Sequence, residues 1–68
     1  MEAILAIMLY LSLIFSPGSY YQSEIDDLYM DNQVEINEVQ NDAQLNPMVQ
    51  STYGPQVEYI LVADDPED

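Results

Sequence analysis

Every charged side chain in this 68-residue sequence is acidic: it holds 13 Asp and Glu residues and no Lys, Arg or His, for a formal charge of −13. Repulsion among so many like charges destabilises a compact state, and no basic side chain is present to offset it. Apolar residues still make up 49% of the sequence, which is enough to form a core. The length predicts a single small acidic domain over residues 1–68, without a cysteine to cross-link it.

The missing residue types argue against catalysis. Without His, Cys or Lys the common general bases and activated nucleophiles are absent. Without Arg or Lys only backbone amides are left to stabilise an oxyanion. A carboxylate pair hydrolyses glycosides in other proteins, but it needs a cleft that so short a chain can hardly build. We therefore expect no enzymatic activity, no cofactor and no metal; Asp27 and Asp31 lack the glycine and the ligand spacing of a calcium loop.

The charge also indicates the kind of partner. A chain of this sign is repelled by the phosphate backbone, so direct nucleic-acid binding is not expected. Apart from Glu2, its acids run from Glu24 to Asp68 and are interleaved with Ile, Leu, Val and Tyr, unlike a low-complexity acidic tail. This pattern predicts a folded surface that meets a strongly basic partner protein.

Residues 3–15 are apolar apart from Ser12, and the Ser-Pro-Gly at 16–18 ends the run. Such a helix, hydrophobic on every side, is buried either in protein or in lipid. A membrane span needs about 20 residues, which this run does not reach. We favour a buried helix in a cytoplasmic protein, with a membrane segment as the alternative.

A short acidic helix is predicted after an extended segment at residues 20–22, with Ser23 as its N-cap. Three acids fall in its first turn, where the helix dipole favours negative charge: Glu24, Asp26 and Asp27. Three apolar residues fall at i, i+3 and i+4 and form a face that we expect to be ordinary core: Ile25, Leu28 and Tyr29. Residues 31–46 predict no definite element beyond an irregular strand or helical turn followed by a loop.

The C-terminal part predicts a β-hairpin. Residues 48–53 and 57–63 are rich in β-branched and aromatic side chains, and Gly54-Pro55-Gln56 joins them. The expected fold class is α+β, with one or two N-terminal helices and a small antiparallel sheet that contains this hairpin.

Two stretches of the predicted hairpin, "VQSTY" and "YILVADDPE", resemble the phage uracil-DNA glycosylase inhibitor family, whose members mimic DNA. The resemblance places Val49 and Tyr53 on the family's strand that ends in Thr-Ala-Tyr. It places two apolar pocket positions on Tyr59 and Leu61. The family's Asp-Ala-Pro-Glu falls on four consecutive residues: Asp64, Asp65, Pro66 and Glu67.

A further stretch, "QSEI", is similar to the family's Glu-Ser-Ile segment, which enters the DNA groove of the enzyme. The resemblance implies this role for Gln22, Ser23 and Ile25, with Ser and Glu exchanged relative to the family. The first helix of the family is polar, whereas residues 3–15 are apolar here.

These observations predict a DNA mimic that inhibits a DNA-binding enzyme in the cytoplasm of a host cell, with uracil-DNA glycosylase as the lead target. A nuclease, a restriction enzyme or a CRISPR effector has a comparable basic groove. Carboxylates on alternate strand residues, about 6.6 Å apart, would imitate a phosphate backbone. The expected phosphate mimics are Glu24, Asp26, Asp27, Asp64, Asp65 and Glu67.

Tight binding also needs an apolar anchor, because charge alone gives a salt-sensitive complex. The residues expected to form it are Leu28, Val49, Tyr59 and Leu61. The alternative function is a small membrane-anchored protein whose acidic tail binds a partner.

Overall fold

The computed structural model describes residues 2–66. Within them the chain forms four α-helices, one 3₁₀ helix and a two-stranded parallel sheet. The elements are, in order, α1 (Glu2–Tyr10), β1 (Gly18–Tyr21), α2 (Gln22–Asp31), α3 (Gln33–Gln40), α4 (Leu45–Tyr53), the 3₁₀ helix (Gly54–Tyr59) and β2 (Ile60–Ala63). The mixed α+β class agrees with the sequence prediction, but the expected one or two N-terminal helices are wrong, because four α-helices extend over the described residues as far as Tyr53.

Helix α1 lies at the centre of the core, which explains why the helix has no polar face. Residues 5–9 are all buried, and α3, α4 and the 3₁₀ helix pack against α1. The other buried side chains are Ile14, Ile25, Ile36, Val39 and Val49. Burial of this helix in the domain is as predicted. Within residues 2–66 no helix is long and apolar enough to cross a membrane.

Helix α1 ends at Tyr10, earlier than the apolar run predicts. Ser12 adopts a left-handed backbone conformation with φ 63°. Its N–H donates to the Leu9 carbonyl at 3.1 Å, and the Leu13 N–H donates to the Met8 carbonyl at 2.9 Å. These two bonds form a Schellman motif, which terminates a helix by satisfying its last carbonyl groups. The hydrophobic run at 3–15 therefore predicted the burial of α1 correctly, but it overestimated the length of the helix.

The predicted antiparallel hairpin is wrong. Strand β2 pairs with β1 instead, in parallel, with Gly18 opposite Ile60 and Tyr21 opposite Ala63. The predicted second strand, 57–63, is extended only over its last part, Ile60–Ala63. A parallel pair needs a long crossover, and here the helices between the strands provide it.

Residues 48–53, expected as the first strand of the hairpin, belong to helix α4. Leu45, Val49 and Tyr53 are spaced by four residues and face the core, which is the helical period. The Tyr53 ring contacts Tyr10 of α1 edge-on, with 6.1 Å between ring centroids. Pro47 lies in the first turn, where no intrahelical N–H bond is lost. The Gly-Pro-Gln segment then begins the 3₁₀ helix instead of a turn.

Helix α2 begins at Gln22, one residue before the predicted N-cap Ser23. Tyr21 takes the N-cap position, and its N–H donates to the Glu24 carboxylate at 3.1 Å. The undefined region 31–46 contains a full helix, α3, whose Ile36 and Val39 are buried. Asn32 separates α2 from α3 with non-helical backbone angles.

Gly18 is expected to be required by the fold. A Cβ at this position would lie 2.5 Å from the Phe15 carbonyl oxygen and 2.9 Å from Cε2 of Tyr20. The Tyr20 hydroxyl is itself fixed, because it accepts a hydrogen bond from the Phe15 N–H at 2.9 Å. We expect Gly18→Ala to lower the free energy of unfolding by about 1–3 kcal/mol, as overpacked substitutions do.

Gly54 provides the control for this prediction. A Cβ there meets no atom within 4 Å, and its φ of −52° is helical. Gly54→Ala should therefore leave stability unchanged or raise it slightly. Urea denaturation followed by circular dichroism measures both variants, and equal effects would contradict the steric explanation.

Candidate partner-binding surface

All of the carboxylate side chains that the structure describes are exposed. They lie on α2, α3 and the 3₁₀ helix and in the segments after α3 and β2: Glu24, Asp26, Asp27, Asp31, Glu35, Glu38, Asp42, Glu58, Asp64 and Asp65. Among residues 3–66 no polar or charged residue is buried. The two strands carry no acid, so the expected spacing of carboxylates along strands is wrong. Helices and loops present the negative charge instead.

The parallel sheet brings the two predicted acidic groups to one end of the molecule. Because Tyr21 and Ala63 are paired at the carboxyl ends of β1 and β2, the residues that follow both strands emerge side by side. The Ser23 N–H donates to Oδ1 of Asp65 at 3.3 Å, which joins the C-terminal segment to the start of α2. Asp64 is exposed beside it, and Glu67 lies outside the described residues. The structure thus places the predicted phosphate mimics of 24–27 near those of 64–65.

The predicted groove-entering segment 22–25 forms the first turn of α2. Gln22 is half-buried, and its side-chain amide donates to Oδ1 of Asp26 at 3.0 Å. Ser23 is exposed, whereas only 1% of Ile25 is accessible. Ile25 therefore belongs to the core, and a partner that approached this turn would meet Ser23 and the neighbouring acids.

The four predicted anchor residues do not form one surface. Val49 is fully buried and Leu28 packs against the core, so neither presents an apolar side chain for a partner. Tyr59 and Leu61 are exposed by 61% and 64%. Leu61 lines a groove of about 610 Å³ that Gln22 also borders. Of the four predicted anchor residues, only Tyr59 and Leu61 are therefore available to contact a partner.

The sequence-based prediction missed five of the ten described acids: Asp31, Glu35, Glu38, Asp42 and Glu58. Asp31 follows Glu24 and Asp27 along α2 at i+7 and i+4 spacing, and Glu35 and Glu38 have i, i+3 spacing on α3. Residues spaced in this way lie on one helix face. The interval of three or four residues between successive acids was the signal in the sequence.

Asp42 has a structural role at the start of α4. Its Oδ1 accepts hydrogen bonds from the N–H groups of Gln44 at 2.9 Å and Leu45 at 2.8 Å. These bonds, the one to Leu45 first, hold the pKa of the Asp42 carboxyl below its ordinary value of 3.8. A depressed pKa means that the ionised form stabilises the folded state, fully above pH 3.8 and decreasingly as pH falls through the lower folded value.

We therefore expect Asp42→Ala to be less stable than the parent protein at pH 7, with a difference that shrinks below pH 3.8. Asp42→Asn is the matched control, because it loses the same charge but keeps an oxygen that accepts both bonds. Urea midpoints measured for the three proteins from pH 7 to pH 3 test this. Equal midpoints for the alanine and asparagine variants at pH 7 would show that the bonds do not stabilise α4.

Within residues 2–66 no group of three or more Asp, Glu, His or Cys side chains is arranged to hold a metal ion. Comparisons with protein families, with curated proteins and with solved structures find no match to this chain. The chemistry of the surface is therefore the basis for assigning a function.

Proposed function

We propose that this protein is a DNA mimic that inhibits a DNA-binding enzyme by occupying its basic groove. The observation that carries the proposal is the complete exposure of the described carboxylates in a chain with no basic side chain. Complementary charge speeds the encounter with a Lys/Arg-lined groove. Repulsion from phosphates disfavours binding to DNA itself.

The shape of the molecule supports this role. It measures 43 × 24 × 16 Å, so the ten described acids amount to one charge per about 4.3 Å of its length. One strand of duplex DNA carries a charge per about 3.4 Å. Along α2 the stripe of Glu24, Asp27 and Asp31 is spaced by about 4.5 and 6 Å, from the helical rise of about 1.5 Å per residue. The charge density along the long axis is therefore close to that of one phosphate strand.

Uracil-DNA glycosylase is the lead candidate target, acting in the cytoplasm of a host cell. This choice depends on the resemblance in sequence at 22–25 and 64–67 alone, because residues 49–53 are helical and residues 60–63 pair in parallel, unlike the antiparallel strands of that family. A nuclease, a restriction enzyme or a CRISPR effector offers the same charge complementarity, so these enzymes belong in the same test.

Inhibition is expected to be competitive with DNA. A glycosylase assay titrated with the protein should show an apparent inhibition constant that rises with DNA concentration. A gel shift with duplex DNA alone should show no complex. Inhibition that is independent of DNA concentration under reversible conditions, or a shifted DNA band, would contradict mimicry.

Two variants distinguish the contribution of charge to partner binding from the contribution of apolar contact. Asp27→Asn with Asp31→Asn removes two charges from the exposed face of α2 and should slow association at low salt. Leu61→Ala removes an exposed apolar contact without a change of charge, and surface substitutions of this kind move stability little. It should speed dissociation, and the loss should persist at high salt, where charge is screened. Identical effects of both variants on association would argue against separate contributions.

A further inference from the structure

A pocket of about 430 Å³ opens between α1, α2 and α3. Its walls are Ile4, Ile25, Asp26, Tyr29 and Gln40. Three of these residues contribute aliphatic or aromatic surface, and two contribute polar groups. The pocket is separate from the groove beside Leu61, because the two share no lining residue.

The polar side of this pocket favours a cation. Gln22 donates to Oδ1 of Asp26, which leaves Oδ2 free to accept within the described part of the chain. Gln40 is the last residue of α3, so the negative end of the α3 dipole lies at the pocket. The last turn of α3 contains no basic residue that would neutralise this end.

The apolar side favours a cation that has an apolar stem. Tyr29 is half-buried and its aromatic ring suits a guanidinium group, and the half-buried Ile4 offers surface for methylene groups. A guanidinium also donates several hydrogen bonds in one plane, which suits acceptors on both Asp26 and Gln40. The more strongly hydrated ammonium of lysine meets these requirements less well.

We propose that this pocket binds an arginine side chain of the partner protein. The occupant comes from another molecule of different sequence, because this chain contains no Arg or Lys and a second copy would bring none. The inference rests on the proposed function, since it names the contact that a basic partner would make. It adds a specific recognition site to the general attraction of charge.

The probe is the tripeptide acetyl-Gly-Arg-Gly-amide, titrated into the full chain at low salt and followed by amide chemical shifts. The matched control peptide has citrulline in place of arginine, which keeps the shape and removes the charge. The arginine peptide should shift the amide signals of Tyr29 and Gln40, and the citrulline peptide should not. Equal shifts from both peptides would overturn the proposal.

Substitution of two neighbouring carboxylates distinguishes binding in the pocket from general electrostatic attraction. Asp26→Asn should weaken arginine binding about five-fold, the upper range for an exposed ion pair. Asp27→Asn removes the same charge one residue later, outside the pocket, and should weaken binding about two-fold or less because solvent and salt screen it. Tyr29→Leu keeps the apolar wall and should weaken binding by about two- to five-fold through loss of the aromatic face.

Equal weakening by Asp26→Asn and Asp27→Asn would overturn the pocket and leave only diffuse charge. The peptide titration does not involve an enzyme, so it succeeds or fails independently of the glycosylase assay. Binding that depends on Asp26 together with an absence of enzyme inhibition would support the pocket and overturn the proposed function.

Discussion

Replacing Ile36 with alanine is expected to remove a large fraction of the free energy of unfolding at 25 °C. Ile36 is fully buried in the core between α3 and α1. Truncation of a buried isoleucine costs about 2–5 kcal/mol. The whole stability of a domain of this length is only about 3–10 kcal/mol at ordinary values per residue. Burial of the Ile36 side chain therefore contributes a large fraction of the free energy of unfolding.

Val34→Ala is the matched control, because Val34 lies two residues earlier in the same helix and is 67% exposed. Its loss should change the free energy of unfolding by less than about 0.5 kcal/mol. Urea denaturation followed by circular dichroism compares the two variants directly. A similar loss of stability from both variants would mean that α3 does not pack on the core through the face that contains Ile36 and Val39.

Salt is expected to stabilise this protein strongly. The chain holds no opposite side-chain charge, so added NaCl weakens only repulsion among its side chains as the screening length falls from about 30 Å at 0.01 M to about 3 Å at 1 M. Glu24–Asp27, Asp27–Asp31 and Glu35–Glu38 are like-charge helical pairs, each of which costs about 0.2–0.5 kcal/mol. Relief of about 1 kcal/mol should raise the Tm by about 4–8 °C.

Asp27→Asn tests the origin of this effect, because it removes the charge that two of the helical pairs share. The variant should melt higher than the parent at low salt and gain less from added salt. Glu58→Gln is the control, since Glu58 has no acid three or four residues away in either direction. A Tm that stays constant or falls with NaCl would show that repulsion does not limit stability.

Elements with a strong local signal were predictable from the sequence. The apolar run of α1, part of the extended segment predicted at 20–22 and the existence of α2 all have patterns that nearby residues determine. Because α2 begins at Gln22, only Glu24 of the three predicted acids lies in its first turn. The precise end of α1 was not predictable, because it depends on a left-handed Ser12 where glycine is the usual residue.

The sheet could not be predicted from local patterns. Residues 60–63 have a clear strand composition, but their partner lies 42 positions earlier, and nothing in either strand specifies the pairing. Residues 48–53 were ambiguous for a different reason. Val49 and Tyr53 fit both a strand period and a helix period in so short a run. Leu45, which decides for helix, was separated from them by an Asn-Pro pair that usually marks a turn.

The candidate surface was predicted in part for the same reasons. The acids of 24–27 and 64–65 were singled out from the sequence, and the structure places them at one end of the molecule. Val49 was assigned to the anchor on the assumption of a strand, and in a helix it faces inward. The acids of α3 were missed because the helix that aligns them was not predicted.

The pairing of β1 with β2 also bears on how the chain reaches its native state. The sheet closes a loop that contains three α-helices and the 3₁₀ helix, so the entropy of closure is lost before strand pairing contributes. Chains with such distant contacts fold more slowly than chains with local ones. During synthesis β1 is complete long before β2 exists, and its unpaired edges are open to other strands in that interval. The uniform negative charge then has a second benefit, because nascent copies of the chain repel one another while their sheets are still unformed.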